Sequence, residues 1–311
     1  MVEQIVDVCG VPLLVRAPDP NLVGRVTANL RGFPETDARP VVSIAVVREA
    51  ATPPDRPADD ELVGVRFWSD DDGMVVAARE LVLRATGDRV VAHLPTELDG
   101  ELLENLTSLA LAWLLGPRDR FVLHGCALAR DGRAVLVLGH TGSGKSTLAA
   151  SCLEAGWQVL ADDQVVLDAT GPRLVVHGLH QQPAVPREIG GTLAAAGSVL
   201  GDPRDRAQLP REVLASGGSP VVGVVLVTHS ALDDGEVSPA VASTVFALLL
   251  QSFAGTIDPR LRTAFFPVAG ELARLPSFTL GHARVPSARS ACAVEHLETV
   301  LRAIDEDEGG R

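Results

Sequence analysis

One stretch constrains this chain more than any other: "AVLVLGHTGSGKSTLAASCLEAG", Ala134 to Gly156. Ala134 to Leu138 is continuously apolar, which predicts a strand buried on both faces. The strand runs into Gly139-His140-Thr141-Gly142-Ser143-Gly144-Lys145-Ser146, and a helix should follow, closed by Gly156 as its C-cap. The eight residues fit G-x-x-x-x-G-K-[ST] at every fixed position, in the strand–loop–helix order the pattern demands. Glycines let backbone N–H groups turn inward and approach an anion closely. The helix aims its N-terminal donors and dipole at the same place. Lys145 is the only lysine among 27 basic residues. A guanidinium fork has the wrong shape for such a cradle, so the lysine resists drift to arginine here. The stretch therefore predicts a P-loop (Walker A) for a nucleoside triphosphate. Gly139 to Ser146 and Thr147 would surround the phosphates, Lys145 would neutralise the β- and γ-phosphates, and the Ser146 hydroxyl would face Mg²⁺.

The rest of the composition narrows the alternatives. The 311 residues are 46 % hydrophobic and 22 % charged, enough for a buried core and one large or two ordinary domains. Net charge is −13 with no basic stripe, which argues against nucleic-acid binding. Cys9, Cys126, Cys152 and Cys292 lie far apart and form no metal or redox motif, as expected of reduced thiols in a cytoplasmic protein. The N-terminus lacks the basic and apolar regions of a signal peptide. Apolar runs such as "VVGVVLV" are far shorter than a membrane span, so no membrane partner is expected.

Residues 1 to about 95 read as short strands ("VPLLVRA", "VVSIAVV", "LVGVRFW", "GMVVAAR", "ELVLRAT", "RVVAHLP") separated by turn signals such as "PDPN", "SDDDG" and "TGD". They predict a small, mostly antiparallel β module. "TELDGELLENLTSLALAWLLGPRD" turns helical, with Thr96 or Asp99 as cap and Gly116-Pro117 as stop. We place the boundary there: a β-rich α+β domain over 1–118 and an α/β domain over 119–311. In the second, "FVLHGCALARDGRAVLVLG" reads as two strands joined at Asp131-Gly132. "WQVLADDQVVLD" reads as a strand that stops at its aspartates and restarts, and "SPVVGVVLVTH" as a buried strand. "SPAVASTVFALLLQSFAG" reads as a helix capped by Ser238 with Pro239 first, and "ARSACAVEHLETVLRAIDEDE" as a terminal helix.

The acidic pair Asp162-Asp163 arrives directly after the loop's helix, earlier than a Walker B aspartate usually does. Adjacent strand residues point opposite ways, so one carboxylate can face the phosphates while the other engages metal or scaffold. With His124-Gly125 before the loop and Ala161-Asp162-Asp163 after the helix, residues 123 to 167 resemble the catalytic domain of the HPr kinase/phosphorylase family. The likeness includes its short relatives, some found with genes for ribosomally made natural-product peptides. "PVVGVVLVTH", "FALLLQSFAG" and "LARLPSFTL" resemble the C-terminal pattern of those short proteins more loosely.

The resemblance implies an α/β P-loop kinase domain of the HPr kinase C-terminal (PEP carboxykinase-like) type, using ATP and Mg²⁺ and prone to homo-oligomers. Asp162 would be the general base for an attacking hydroxyl, His124 would hold Asp162, and Asp163 and Ser146 would lie near the metal. The family's Glu-Ile-Arg-Gly signature is absent as such, and "REIGG" (187–191) nominates Glu188 as a further metal ligand. The basic loop linked to HPr recognition is not recognisable, which speaks against HPr as substrate and against phosphorolysis. The expected acceptor is a Ser or Thr hydroxyl of a peptide or protein. A small-molecule alcohol and a nucleotide-dependent regulatory module without phosphotransfer are the alternatives. His177 and His180 have metal-like spacing but no third ligand, and read as loop or surface. Arg204, Arg206 and Arg211 read as a solvated loop, with a lid that clamps phosphate or a carboxylate substrate as the alternative.

Overall fold

The structure, a computed structural model, describes residues 1–62, 65–69, 73–79, 81–94, 100–180, 184–186, 206–208, 213–229, 237–282, 294–295, 297–302 and 304. It is mixed α/β with two large sheets, and the chain divides into two units: Met1–Val122 with Ala254–Phe265, and Leu123–Phe253 with Phe266–Arg311.

The first unit carries β1 (Val2–Val8), β2 (Val11–Ala17), β3 (Val42–Val47), β4 (Asp60–Leu62), β5 (Val65–Ser69), β6 (Gly73–Ala78), β7 (Leu81–Thr86) and β8 (Arg89–His93). Their order in the sheet is β1-β2-β3-β8-β7-β6-β5-β4. The pairs β2–β3 and β3–β8 run parallel and the others antiparallel. β1 and β2 meet at Cys9-Gly10, whose φ values of 54° and 76° make the twist-matched two-residue turn of a hairpin. "PDPN" is a helix start rather than a turn, and α1 covers Pro20–Thr27. Asp19 accepts the Leu22 N–H at 2.9 Å while Pro20 supplies a preset φ at a position that needs no donor. α2 (Gly100–Leu115) follows, and Gly116–Arg118 forms a single 3₁₀ turn that stops it. The expected caps Thr96 and Asp99 lie outside the described residues.

Around the glycine-rich loop the chain forms β9 (Arg120–His124), β10 (Cys126–Arg130), β11 (Arg133–Leu138), α3 (Lys145–Glu154), β12 (Gln158–Ala161), β13 (Gln164–Asp168) and β14 (Val175–Leu179). A small pair, β15 (Ala184–Pro186) and β16 (Arg206–Gln208), stands apart. Then come β17 (Gly218–His229), β18 (Val237–Pro239), α4 (Ala242–Ser252), α5 (Pro259–Leu272) and β19 (Ser277–His282). The sheet runs β12-β10-β11-β17-β14-β13-β9, with β19 on β17 and β18 on β19. β11, β17 and β19 are parallel neighbours at its centre. Every residue from Ala134 to Leu138 is fully buried, as the apolar run requires. α3 seats Leu148, Ala149 and Cys152 on Val135, Val137, Val225 and Val227, with Leu297, Val300 and Leu301 of the last helical segment in the same cluster. Each large apolar side chain so buried contributes about 1.5–3 kcal/mol, which fixes the helix start against the strand end.

Two further expectations need correction. "FVLHGCALAR" is two strands, broken at Gly125, where a Cβ would press on the Val137 carbonyl oxygen and on Leu138, both at 3.2 Å. The helix expected from Ser238 begins at Ala242 instead, because Ser238 pairs with Thr279 in β19 and the Ala240 N–H donates to the Ser277 carbonyl at 2.8 Å. The sequence pattern does not predict α5, since Pro267 lies inside it.

Segment 254–265 completes the first unit. Phe265 packs on Phe121 with ring centroids 5.3 Å apart, and the Arg260 guanidinium lies 5.3 Å from the Trp113 ring centroid. Asp258, 2 % exposed, accepts the Arg260 N–H at 2.8 Å and caps the start of α5. Among the described residues no helix is long and apolar enough to cross a membrane.

Candidate functional site

β11 ends at Leu138 and the chain turns through residues 139–144 into α3. A Cβ on Gly139 would lie 2.6 Å from Ser143 Oγ and 2.6 Å from the Val227 carbonyl oxygen, so no larger residue fits this turn as it stands. Gly142 and Gly144 adopt φ of 80° and 105°, where side chains are strained. The Ser143 N–H donates to the His140 carbonyl at 3.0 Å and tightens the turn. Gly144 is the N-cap of α3 and brings no side-chain acceptor, which leaves the first-turn donors and the helix dipole for an anion. Ser143 Oγ is buried and has no hydrogen-bond partner among the described residues.

Lys145 is only 6 % exposed, and its Nζ donates to the carbonyls of Gly139 at 2.8 Å and His140 at 3.3 Å. Burial holds its pKa below the usual lysine value, opposed by the charges of Asp163, Cys126 and Asp162. An orphaned buried hydroxyl, a helix start without a side-chain cap and a glycine turn that a Cβ would fill together fit a polyphosphate. A cation beside the phosphates would find the Ser146 hydroxyl in the first turn of α3 and the carboxylates of the acidic pair.

The acidic pair sits in the bend between β12 and β13. Ala127 pairs with Ala161, and two residues on the Gly125 N–H donates to the Asp163 carbonyl at 2.8 Å. The break at Gly125 therefore brings β9 and the bend together. The two side chains then part: Asp162 is 8 % exposed, whereas the Asp163 side chain is 44 % exposed. The resemblance leads one to expect His124 against Asp162. The structure instead puts His124 Nδ1 3.2 Å from Asp163 Oδ1, both at the accessible edge. Asp162 turns inward, and its charge helps push the fully buried Cys126 thiol well up, second to burial itself. Thus Lys145, Asp162, Asp163, His124 and Cys126 form one group around the loop. No motif in the sequence points to Cys126; the strand pairing Ala127↔Ala161 is the signal that finds it.

The other candidates fall elsewhere. His177 lies in β14, its ring over Gly218, where a Cβ would come within 2.3 Å of it. His180 is buried, with Nε2 3.2 Å from the Ala215 carbonyl oxygen. Among the described residues no group of three or more His, Cys, Asp or Glu could hold a metal ion by itself. Glu188, Arg204, Arg211 and Cys292 lie outside the described residues, and Arg206 is placed only as part of β16. Among the described residues Cys9, Cys126 and Cys152 form no disulfide.

No protein-family model matches the chain, and no curated protein matches it. Among solved structures, it is similar to the Hpr(Ser) kinase/phosphatase from Coxiella burnetii, at 16 % identity and a TM-score of 0.33, over 61 % of this chain and 93 % of that chain. At that level the similarity fixes neither family nor reaction, and the function has to be read from the site itself.

Proposed function

We propose that this protein is an ATP-dependent phosphotransferase that moves the γ-phosphoryl group to a hydroxyl. The observation that carries the reading is the buried Lys145 at an α3 start without a side-chain cap, next to a carboxylate pair with one member turned in and one out. The phosphates would lie on the N–H groups of the loop and first turn, with Lys145 leaving the loop carbonyls for the β- and γ-oxygens. Magnesium, when bound, supplies neutralisation of phosphate charge, and Ser146 with Asp162 would hold it. The acceptor oxygen attacks the γ-phosphorus, the bond to the bridging β–γ oxygen breaks and ADP departs. The hydroxyl proton passes to Asp163, the carboxylate that a hydroxyl can reach, while His124 fixes its orientation.

This exchanges the roles that the resemblance assigns to Asp162 and Asp163, and the reason is accessibility together with the His124 contact. A half-exposed carboxylate suits a hydroxyl presented by a larger molecule, so the proposed acceptor is serine or threonine of a peptide or protein. The test is transfer from γ-labelled ATP into a desalted lysate of the source organism, with peptides and small molecules kept apart. Wild type should label a peptide or protein species that Lys145→Ala and Asp163→Asn both lose. ATP binding without any labelled acceptor, and hydrolysis unaltered by Asp163→Asn, would refute it.

A further inference from the structure

We propose that His229 and His282, in register at the ends of β17 and β19, form a second phosphate-binding element of the site, for the terminal phosphate of the nucleotide. The inference deepens the phosphotransferase reading and rests on it. The two strands run parallel and pair residue for residue from Val224↔Ser277 to His229↔His282. Neighbouring strands stand about 4.8 Å apart, so the two histidines share one rung of the ladder. Val225 and Val227 of β17, with Phe278 and Leu280 of β19, pack in the cluster that holds Leu148, Ala149 and Cys152 of α3. Strand positions alternate between faces with period two, which places 229 and 282 next on the α3 face. Both strands thus change from apolar residues to histidine at one level of the sheet.

That level is the level of the phosphate loop. Leu138, the last residue of β11, pairs with Leu226, and Leu226 with Thr279. A Cβ on Gly139, the next residue, would lie 2.6 Å from the Val227 carbonyl oxygen. His229 is two residues further on, roughly 7 Å along the strand. Val227 and Leu280 are 2 % and 3 % exposed, but Thr228 is exposed, so the core ends here and solvent reaches the edge. β12 runs parallel to β11, because each is antiparallel to β10. The carboxyl ends of β12, β11, β17 and β19 therefore share one edge, with the acidic pair on one side of the loop and the two histidines on the other. In open α/β sheets ligands bind outside the carboxyl ends of the strands. A triphosphate seated on the loop and the start of α3 would carry its last phosphate between the carboxylates and the histidines. Imidazole keeps an N–H donor whether neutral or charged, and phosphoryl transfer needs donors around the transferred group.

The experiment uses the full chain as wild type, His229→Ala, His282→Ala and, as control, His177→Ala, whose ring lies over Gly218 at the far end of β17. Calorimetric titration measures affinity for Mg-ATP and for Mg-ADP. His229→Ala and His282→Ala should each lose roughly 10- to 100-fold for Mg-ATP, the effect of one hydrogen bond to a charged group. Both should bind Mg-ADP within twofold of wild type, and the control should bind both nucleotides as wild type does. A second measurement needs no variant: carbethoxylation of wild type by diethyl pyrocarbonate, mapped by mass spectrometry. Mg-ATP should slow it at His229 and His282, and Mg-ADP should not. Mg-ATP affinity within twofold of wild type in both variants overturns the proposal, as do equal losses for the two nucleotides. So does Mg-ATP that leaves carbethoxylation at both positions as it was. In those cases nucleotide binding by wild type leaves the phosphotransferase reading standing. A wild type that binds neither nucleotide defeats that reading, and the histidine pair with it.

Discussion

Replacing Gly139 by alanine tests the loop most directly. The added methyl would sit 2.6 Å from Ser143 Oγ and 2.6 Å from the Val227 carbonyl oxygen. Ser143 can yield, because its buried hydroxyl holds no hydrogen bond among the described residues. Val227 cannot: it lies in β17, whose residues 221 and 223–226 pair with β11 and whose residues 224–229 pair with β19. The loop itself must therefore move, at the roughly 1–3 kcal/mol typical of overpacking a tight site. If that strain is relieved only by giving up the phosphate-binding arrangement, affinity for Mg-ATP falls roughly 5- to 150-fold, at about 1.4 kcal/mol per decade. Gly142→Ala is the control, since nothing lies within 4 Å of its Cβ and only its φ of 80° is strained, at a cost of roughly 1–2 kcal/mol. Titration of both variants with a fluorescent ATP analogue, beside urea unfolding, separates loop geometry from stability. Binding by Gly139→Ala within twofold of wild type would refute the steric argument.

Lys145→Met should abolish Mg-ATP binding without lowering the stability of the ligand-free protein at neutral pH. The folded pKa of Lys145 lies below its ordinary value of 10.5, so the fold carries a penalty for the charged lysine. That penalty is fully present below the folded pKa and is relieved as pH rises through it toward the unfolded value. In urea unfolding followed against pH, wild type should thus gain on the methionine variant at alkaline pH; a gain toward acid instead would contradict the burial argument. Asp258→Ala should cost about 1–2 kcal/mol as a lost helix cap, read from the urea midpoint of the unfolding transition. Arg260 also pairs with Asp258 through its guanidinium at 3.1 Å, and Arg260→Ala should cost less, because that side chain is 54 % exposed. Equal midpoints for the two variants would count against the cap.

The strand, loop and helix around Lys145 were legible because each rests on local chemistry: an apolar run, glycines, a single lysine. The turn at Asp131-Gly132 was legible for the same reason, and φ values of 53° and 74° put both residues where Asp-Gly is favoured. What escaped was set by partners distant in sequence. Ser238-Pro239 carries a strong helix-start signal, yet β19 claims it as an edge strand. α5 carries an internal proline, but Leu261, Phe265, Ala269 and Leu272 are buried along it at helical spacing, and that burial overrides propensity. In the site, two adjacent aspartates announce opposite directions but not which one His124 meets. The break at Gly125 decides that, through contacts of a Cβ it does not have.

The return of residues 254–265 to the first unit has a consequence for the order in which the chain is made. Translation delivers Met1–Val122 first, with its sheet and α2 complete, yet Arg260 over Trp113 and Phe265 on Phe121 arrive only after more than a hundred further residues. Until then Trp113 and Phe121 lack the neighbours that cover them in the finished protein. The nascent first unit is a waiting template, closed only when the ribosome has passed Phe265, and a gene fragment ending at Val122 would encode it without its lid.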